Sequence, residues 1–306
     1  MATNIWFWLG FIAFVLAMLA LDLGVFHRKA HEVRPGEAGI WTAVWVALAL
    51  LFAAGLYLFE SRHIALTFLT GYVIEESLSV DNIFVMVLIF EYFRVPKSVQ
   101  HRVLFYGILG ALVMRGLFIA AGTALITRFH WVLYVFGALL VITGVRMARK
   151  QDEEFDGERS RIVRGVRRVL PISAEFHGSR FFVTEGGRRT ATPLLLVLIL
   201  VEFTDLIFAI DSIPAIFGVT TDPFVVFTSN IFAVLGLRSL YFLLAAVVDR
   251  FHLLKYGLAV ILSFVGFKML TEHFLEIDIV LSLSIILTVL AASVIASLVW
   301  PARKQS

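Results

Sequence analysis

"IEESLSVDNIF", residues 74–84, sets Glu75, Glu76 and Asp81 inside an apolar run that extends from about residue 64 to 90. "VEFTDLIFAIDSIPA", residues 201–215, does the same with Glu202, Asp205 and Asp211. The runs around these acids decide the fold. A helix needs about 20 apolar residues to cross a hydrocarbon core of about 30 Å, and apolar blocks of that length recur along this chain. The whole sequence is 60% hydrophobic, with 29 Phe and only 16% charged residues, and its mean hydropathy is +0.91. These features predict an all-α polytopic membrane protein. A membrane β-barrel would alternate polar and apolar residues with a period of two, and these runs do not.

Nine spans are expected, at roughly 5–26, 40–59, 64–90, 103–127, 131–148, 192–218, 225–248, 254–270 and 278–300. The first is preceded by no Lys or Arg and reads as a retained helix, not a cleaved signal. The polar segments then sort onto two sides. One side receives Arg28, Lys29, Arg34, Arg94, Lys97, Arg102, Arg250, Arg303, Lys304 and the ten Lys/Arg between Arg149 and Arg189. The other receives only Arg62 and Arg128. The positive-inside rule therefore predicts the N-terminus outside, with the C-terminus and the 149–191 loop in the cytoplasm. The formal charge of +3 is thus spent on topology, and no nucleic-acid partner is expected. Within the long loop, "ERSRIVRGVRRVLPIS" is basic with interspersed aliphatics, which suits an anionic leaflet or a solvated loop. "SRFFVTEGGRRT" carries a Gly-Gly turn between extended stretches and predicts a small hairpin. With no Cys in the chain, disulfides, thiolate metal sites and dithiol redox chemistry are excluded.

The sequence also repeats itself. "RFHWVLYVFGALLVITGVRM", 128–147, matches "RFHLLKYGLAVILSFVGFKM", 250–269, at seven of 20 positions. Upstream, "LVMRGLF" with Arg115 parallels "VLGLRSLYF" with Arg238. Further upstream, Glu75-x5-Asp81-Asn82-Ile83 parallels Asp205-x5-Asp211-Ser212-Ile213. Spans three to five thus recur as spans six to eight. Three is an odd number, so the second copy must be inserted upside down. Such inverted repeats are the architecture of many secondary transporters, whose binding sites lie at the repeat interface on broken helices. The chain divides accordingly into 1–63 (two N-terminal helices), 64–148 (first repeat), 149–191 (cytoplasmic basic loop), 192–270 (second repeat) and 271–306 (C-terminal helix and short tail).

The acids need compensation. Each costs about 2.5–3.5 kcal/mol at a helix centre, so they must face protein or a wet cavity. Arg115 and Arg238, each in mid-span, offset two of the six carboxylates; protons or a multivalent cation would offset the rest. Glu202 and Asp205 share a helix face, but Asp211 in a straight helix points elsewhere. Pro214 predicts a kink or unwinding there, freeing the carbonyl of Ile210. The Glu75 to Asp81 stretch needs a similar break and has no proline. Asn82 and Ser212 add neutral oxygens. All these ligands are hard oxygens, which favours Mg²⁺, Ca²⁺ or Mn²⁺. Met86 reads as packing, and His63, His130, His252 and His273 as residues of the span ends. Asp22 either lines an exit or pairs with Arg28. Buried Arg–carboxylate pairs that only fix helix packing remain the competing reading of the acids.

"EESLSVDNIFV" and "EFTDLIFAIDSIPA" resemble the two signature stretches of the TerC family. The overall pattern, including "LALDLGVFHRKAHEV" and "RRTATPL", is similar to the Alx-type members of that family, within the LysE-like transporter superfamily. The resemblance covers nearly the whole chain. It implies a multi-pass protein of the bacterial inner membrane, not an enzyme, that exports a cation, chiefly Mn²⁺. The ion would be held by Glu75, Asp81, Glu202, Asp205 and Asp211, with Glu76 within the motif. The expectation is therefore a secondary transporter exchanging a divalent cation for protons, without organic cofactor. Asn82 and Ser212 would complete the shell, and Arg115 and Arg238 would hold the acids of an empty site. The alternatives are a scaffold or assembly factor in tellurite or envelope-stress resistance, or a transporter of Ca²⁺ or of protons alone.

Overall fold

The computed structural model describes residues 5–25, 35–149, 161–185, 187–245, 251, 253–275 and 277–300. The basic residues at 28, 29, 34, 250, 303 and 304, His252 and the loop stretch 150–160 lie outside the described residues. So does the side chain of Asp22.

The chain is a helical bundle. Among the described residues, long helices form at α1 (Ile5–Val25), α2 (Pro35–Phe59), α3 (Arg62–Tyr92), α4 (Lys97–Arg128), α5 (Val132–Arg149), α7 (Pro193–Phe217), α8 (Pro223–Leu244), α9 (Leu254–Thr271) and α10 (Ile279–Val299), each over one of the expected apolar stretches, with α2 and α4 beginning several residues earlier. Seven of them are long and apolar enough to cross a membrane by composition alone. α3 is not among the seven, although its 31 residues would reach about 46 Å. Its load of acids within an otherwise apolar sequence keeps it out. The chain is thus an all-α, multi-pass membrane protein.

α8 is the most enclosed element, with buried residues on every face from Phe224 to Tyr241. α2, α3 and α4 pack around it, α7 packs on α4 and α3, α5 pairs with α9, and α10 lies against α3 and α9. The helix pairings exchange under the repeat relation: α3 packs on α8 as α7 packs on α4, while α5–α9, α3–α7 and α4–α8 each map onto themselves. The α5–α9 pair carries this down to single residues. A Cβ built on Gly266 would lie 2.6 Å from the Gly137 carbonyl oxygen, and one on Gly144 would lie 2.6 Å from the Ala259 carbonyl. Gly137 aligns with Ala259, and Gly144 with Gly266, in the repeated segments. The two contacts are therefore the same contact taken twice, and the helices run antiparallel. Small residues allow backbones to approach this closely in a membrane. Gly266→Ala is expected to destabilise the protein by about 1–3 kcal/mol through overpacking against backbone. Gly10→Ala, with open space around it, is the control expected to be neutral or stabilising. Thermal unfolding in detergent reads both.

The predicted hairpin forms. β1 (Phe182–Glu185) pairs antiparallel with β2 (Arg188–Ala191), and Gly187 supplies a φ of 79° at the turn, a value that favours glycine. The basic stretch before it forms the short helix α6 (Arg161–Val169). Its Val163 is buried, and Ile162 and Val166 pack on the apolar core beneath. The apolar face of α6 thus docks on the protein, while Arg164, Arg167 and Arg168 stay exposed.

The expected helix breaks are absent. α3 runs unbroken through Glu75 and Asp81, and α7 through Pro214. In α3 nothing in the sequence interrupts the hydrogen-bond ladder. In α7, Pro214 stands in the last turn, so its missing N–H removes a bond only at the helix end.

Candidate functional site

Unbroken helices select which acids meet. Residues seven apart return to within ~20° of the same direction, whereas residues six apart diverge by ~120°. Glu75 therefore shares its face with Asn82, and Asp205 shares its face with Ser212. Asp81 and Asp211 are turned away.

The four facing residues converge on Arg115 of α4. Its Nη1 donates to Glu75 Oε2 at 2.6 Å and to Asn230 Oδ1 at 3.1 Å. Its Nη2 donates to Asp205 Oδ1 at 3.1 Å, and its Nε reaches Asp205 Oδ2 at 3.5 Å. Asn82 Nδ2 donates to Asp205 Oδ1 at 3.5 Å, and Ser212 lies beside Glu75. One guanidinium thus ties α3, α7 and α8 to α4. The cluster is dry: Glu75 and Arg115 are each 1% exposed and Asp205 3%. Planar Arg suits this role because its fork addresses two carboxylates at once.

The cluster is not fully satisfied. Glu75 Oε1, Asn82 Oδ1 and Ser212 Oγ are buried and have no hydrogen-bond partner among the described residues, and neither has Asn230 Nδ2. Buried polar atoms are normally paired, so unpartnered oxygens on the faces of α3 and α7 that carry Glu75 and Asp205 mark a place for a water or a cation. Among the described residues no three His, Asp or Glu side chains surround a common point as a ready-made metal cage. The guanidinium stands between the carboxylates instead.

The other expected residues lie around this centre. Asp211 is half-buried on a different side of α7, where its Oδ1 accepts from Thr143 Oγ1 of α5 at 3.0 Å. Glu202 is half-buried, and its carboxylate rests directly on Gly110 of α4, where any Cβ would collide with it. Glu76 is half-buried, with no hydrogen-bond partner for Oε2 among the described residues. Asp81 and Arg238 are half-buried, and each interacts within the protein. Arg238 and Asp205 line the same narrow void between α4, α7 and α8, together with Met86. Met86 is 3% exposed within an apolar cluster, which agrees with a packing role.

Three residues were missed. Asn230 accepts from Arg115, Thr143 donates to Asp211, and Gly110 makes room for Glu202. Asn230 was legible as an amide inside the apolar "NIFAVLGL", since a polar side chain within a span demands a partner. Thr143 and Gly110 carry no such signal, because either is an ordinary residue of a membrane helix.

Residues 60–305 match the family described as integral membrane protein TerC. The chain belongs to the TerC family. The Myxococcus xanthus membrane protein STKORF319 is 56% identical over 292 residues, covering 95% of this chain and 92% of that one. The Escherichia coli K12 protein named "Putative membrane-bound redox modulator Alx" is 50% identical over 297 residues, covering 94% and 92%. A Rickettsia felis membrane protein is 40% identical over 292 residues, covering 95% and 97%. No solved structure matches the chain. Within the TerC match lie both acid motifs, Arg115 and Asn230.

Proposed function

We propose that this TerC protein is a secondary transporter that exports a divalent cation, Mn²⁺ foremost, across a bacterial inner membrane in exchange for protons. The observation that carries this reading is the pairing of Glu75 and Asp205, one from each repeat, with the same guanidinium, together with buried, unpartnered oxygens on Glu75, Asn82 and Ser212. Carboxylate, amide and hydroxyl oxygens are ligands for a hard dication. Arg115 neutralises one of the two carboxylates and thereby acts as a tethered stand-in for the ion. An arriving dication displaces or tilts the guanidinium. Asp81, Glu202 and Asp211 surround the centre as ligands or proton carriers of other conformations, with Glu76 and Arg238 in support. The inverted repeat supplies the two-sided access that export requires. Moving two positive charges outward against an inside-negative potential costs about 4.6 kcal/mol per 100 mV, and two protons moving inward cancel that charge movement. The basic-residue asymmetry supports an outside N-terminus.

A second reading rests on the same ion pairs. An Arg held by two carboxylates also fixes four helices in one arrangement, as a scaffold or assembly factor would need. The redox role in the relatives' printed name cannot take the form of thiol–disulfide exchange here, since the chain has no cysteine. Inside-out vesicles decide between the readings. Saturable, proton-gradient-dependent Mn²⁺ accumulation is expected with this protein and not in vesicles lacking it. Absence of flux for Mn²⁺, Mg²⁺ and Ca²⁺ alike would favour the scaffold.

A further inference from the structure

A cavity of about 700 Å³ opens at the ends of α3 and α7 on the side of the long loop, lined by Arg94, Arg167, Ser173 and Phe176 among others. Among the described residues, two arginines line it and no carboxylate does. Neither Arg94 nor Arg167 is in an ion pair with a described residue. Ser173 is already committed, donating to Glu185 Oε1 at 2.7 Å, and Glu185 pairs with His177 at 3.2 Å. Pro193 and Leu196, in the first turn of α7, also line the cavity, and that helix end carries a partial positive charge.

The backbone at Arg94 adds an independent observation. α3 ends in a Schellman motif: Val95 N–H donates to the Phe90 carbonyl at 2.9 Å, and Arg94 N–H to the Glu91 carbonyl at 3.0 Å. Arg94 thereby occupies the left-handed position, with φ of 51°. Glycine is the usual residue there, because a Cβ is strained in that conformation. An arginine held in an unfavourable backbone state at the rim of a cationic cavity points to a use for its side chain.

We propose that this cavity binds a phosphate-bearing anion, with Arg94 and Arg167 as its ligands and the α7 N-terminus behind them. Its walls favour a lipid headgroup as the source. Tyr92, Phe93, Ile172 and Phe176 make the lining amphipathic, and the end of one span and the start of another place it at the depth of the headgroups. The site would anchor α3 and α7, the two helices that carry Glu75 and Asp205, at the cytoplasmic leaflet.

The test uses the purified full chain in nonionic detergent, with short-chain phosphatidylglycerol, short-chain phosphatidylcholine and inorganic phosphate as probes. Thermal unfolding is expected to rise saturably with phosphatidylglycerol and not with phosphatidylcholine. Arg94→Gly and Arg167→Gln should each weaken the apparent affinity about tenfold, the loss of one charge-assisted contact. Arg168→Gln, on the same short helix but outside the cavity lining, should leave it unchanged. Arg94→Gly should also raise the stability of the ligand-free protein, because glycine accepts the backbone angle. An equal, saturable response to inorganic phosphate would name the free ion as the occupant of the same site. Unaltered affinity in both cavity variants, an equal loss in Arg168→Gln, or no saturable response to either anion overturns the proposal.

Discussion

Arg115→Leu is expected to destabilise the bundle by about 3–5 kcal/mol, the cost of removing one partner from a buried ion pair. The substitution leaves Glu75 and Asp205 buried at 1% and 3% exposure, without the guanidinium that bonds to both. It also strips Asn230 Oδ1 of its donor at 3.1 Å. The penalty arises from stranded charge and not from lost volume, and this makes the prediction sharp. The triple variant Glu75→Gln, Asp205→Asn, Arg115→Leu removes all three charges together. It should recover most of the lost stability, because neutral replacements of whole buried ion clusters are often tolerated. Unfolding midpoints in detergent, measured on all variants in one buffer, check this. A triple variant as unstable as Arg115→Leu alone would show that the guanidinium matters for packing and not for charge.

The second large effect is on transport. Asp205→Asn and Glu75→Gln should each lower Mn²⁺ accumulation in inside-out vesicles by on the order of 100-fold, at or beyond the upper range seen when groups around a metal are removed. Both variants keep the side-chain shape, so monodisperse protein in normal yield is the expected control. The flux loss then belongs to the ion and not to the fold. The triple variant sharpens the comparison, since it should be folded and inactive. Wild-type flux in Asp205→Asn would remove Asp205 from the site. A loss as large in Asp211→Asn would place Asp211, now held by Thr143 at 3.0 Å, on the ion's path in a second conformation.

These experiments separate what the two acid motifs do from where they sit. Their presence was legible without coordinates, since carboxylates are costly in a membrane and their repetition around Arg115 and Arg238 was plain in the order of residues. Their partition was not. The sequence groups Asp81 and Asp211 with Glu75 and Asp205 only if the helices break, and the helices run straight. Once they do, the seven-residue spacing admits Asn82 and Ser212 to the centre and excludes the six-residue neighbours. Asn230 entered from a helix more than a hundred residues away from Arg115 in sequence, and no local pattern ties the two together.

By itself the sequence determined where the long helices lie, the hairpin around Gly187 and the membrane class, because each depends on hydrophobic run length or turn chemistry within a short window. It also carried the repeat that pairs α5 with α9, since that relation is written in the order of residues. Only the tertiary structure decided which carboxylates share a counter-ion, that α6 lays its apolar face on the bundle, and that Arg94 holds a glycine's place beside Arg167. Those outcomes depend on how far each helix turns before it meets its neighbour. Run length does not report that angle, and packing sets it.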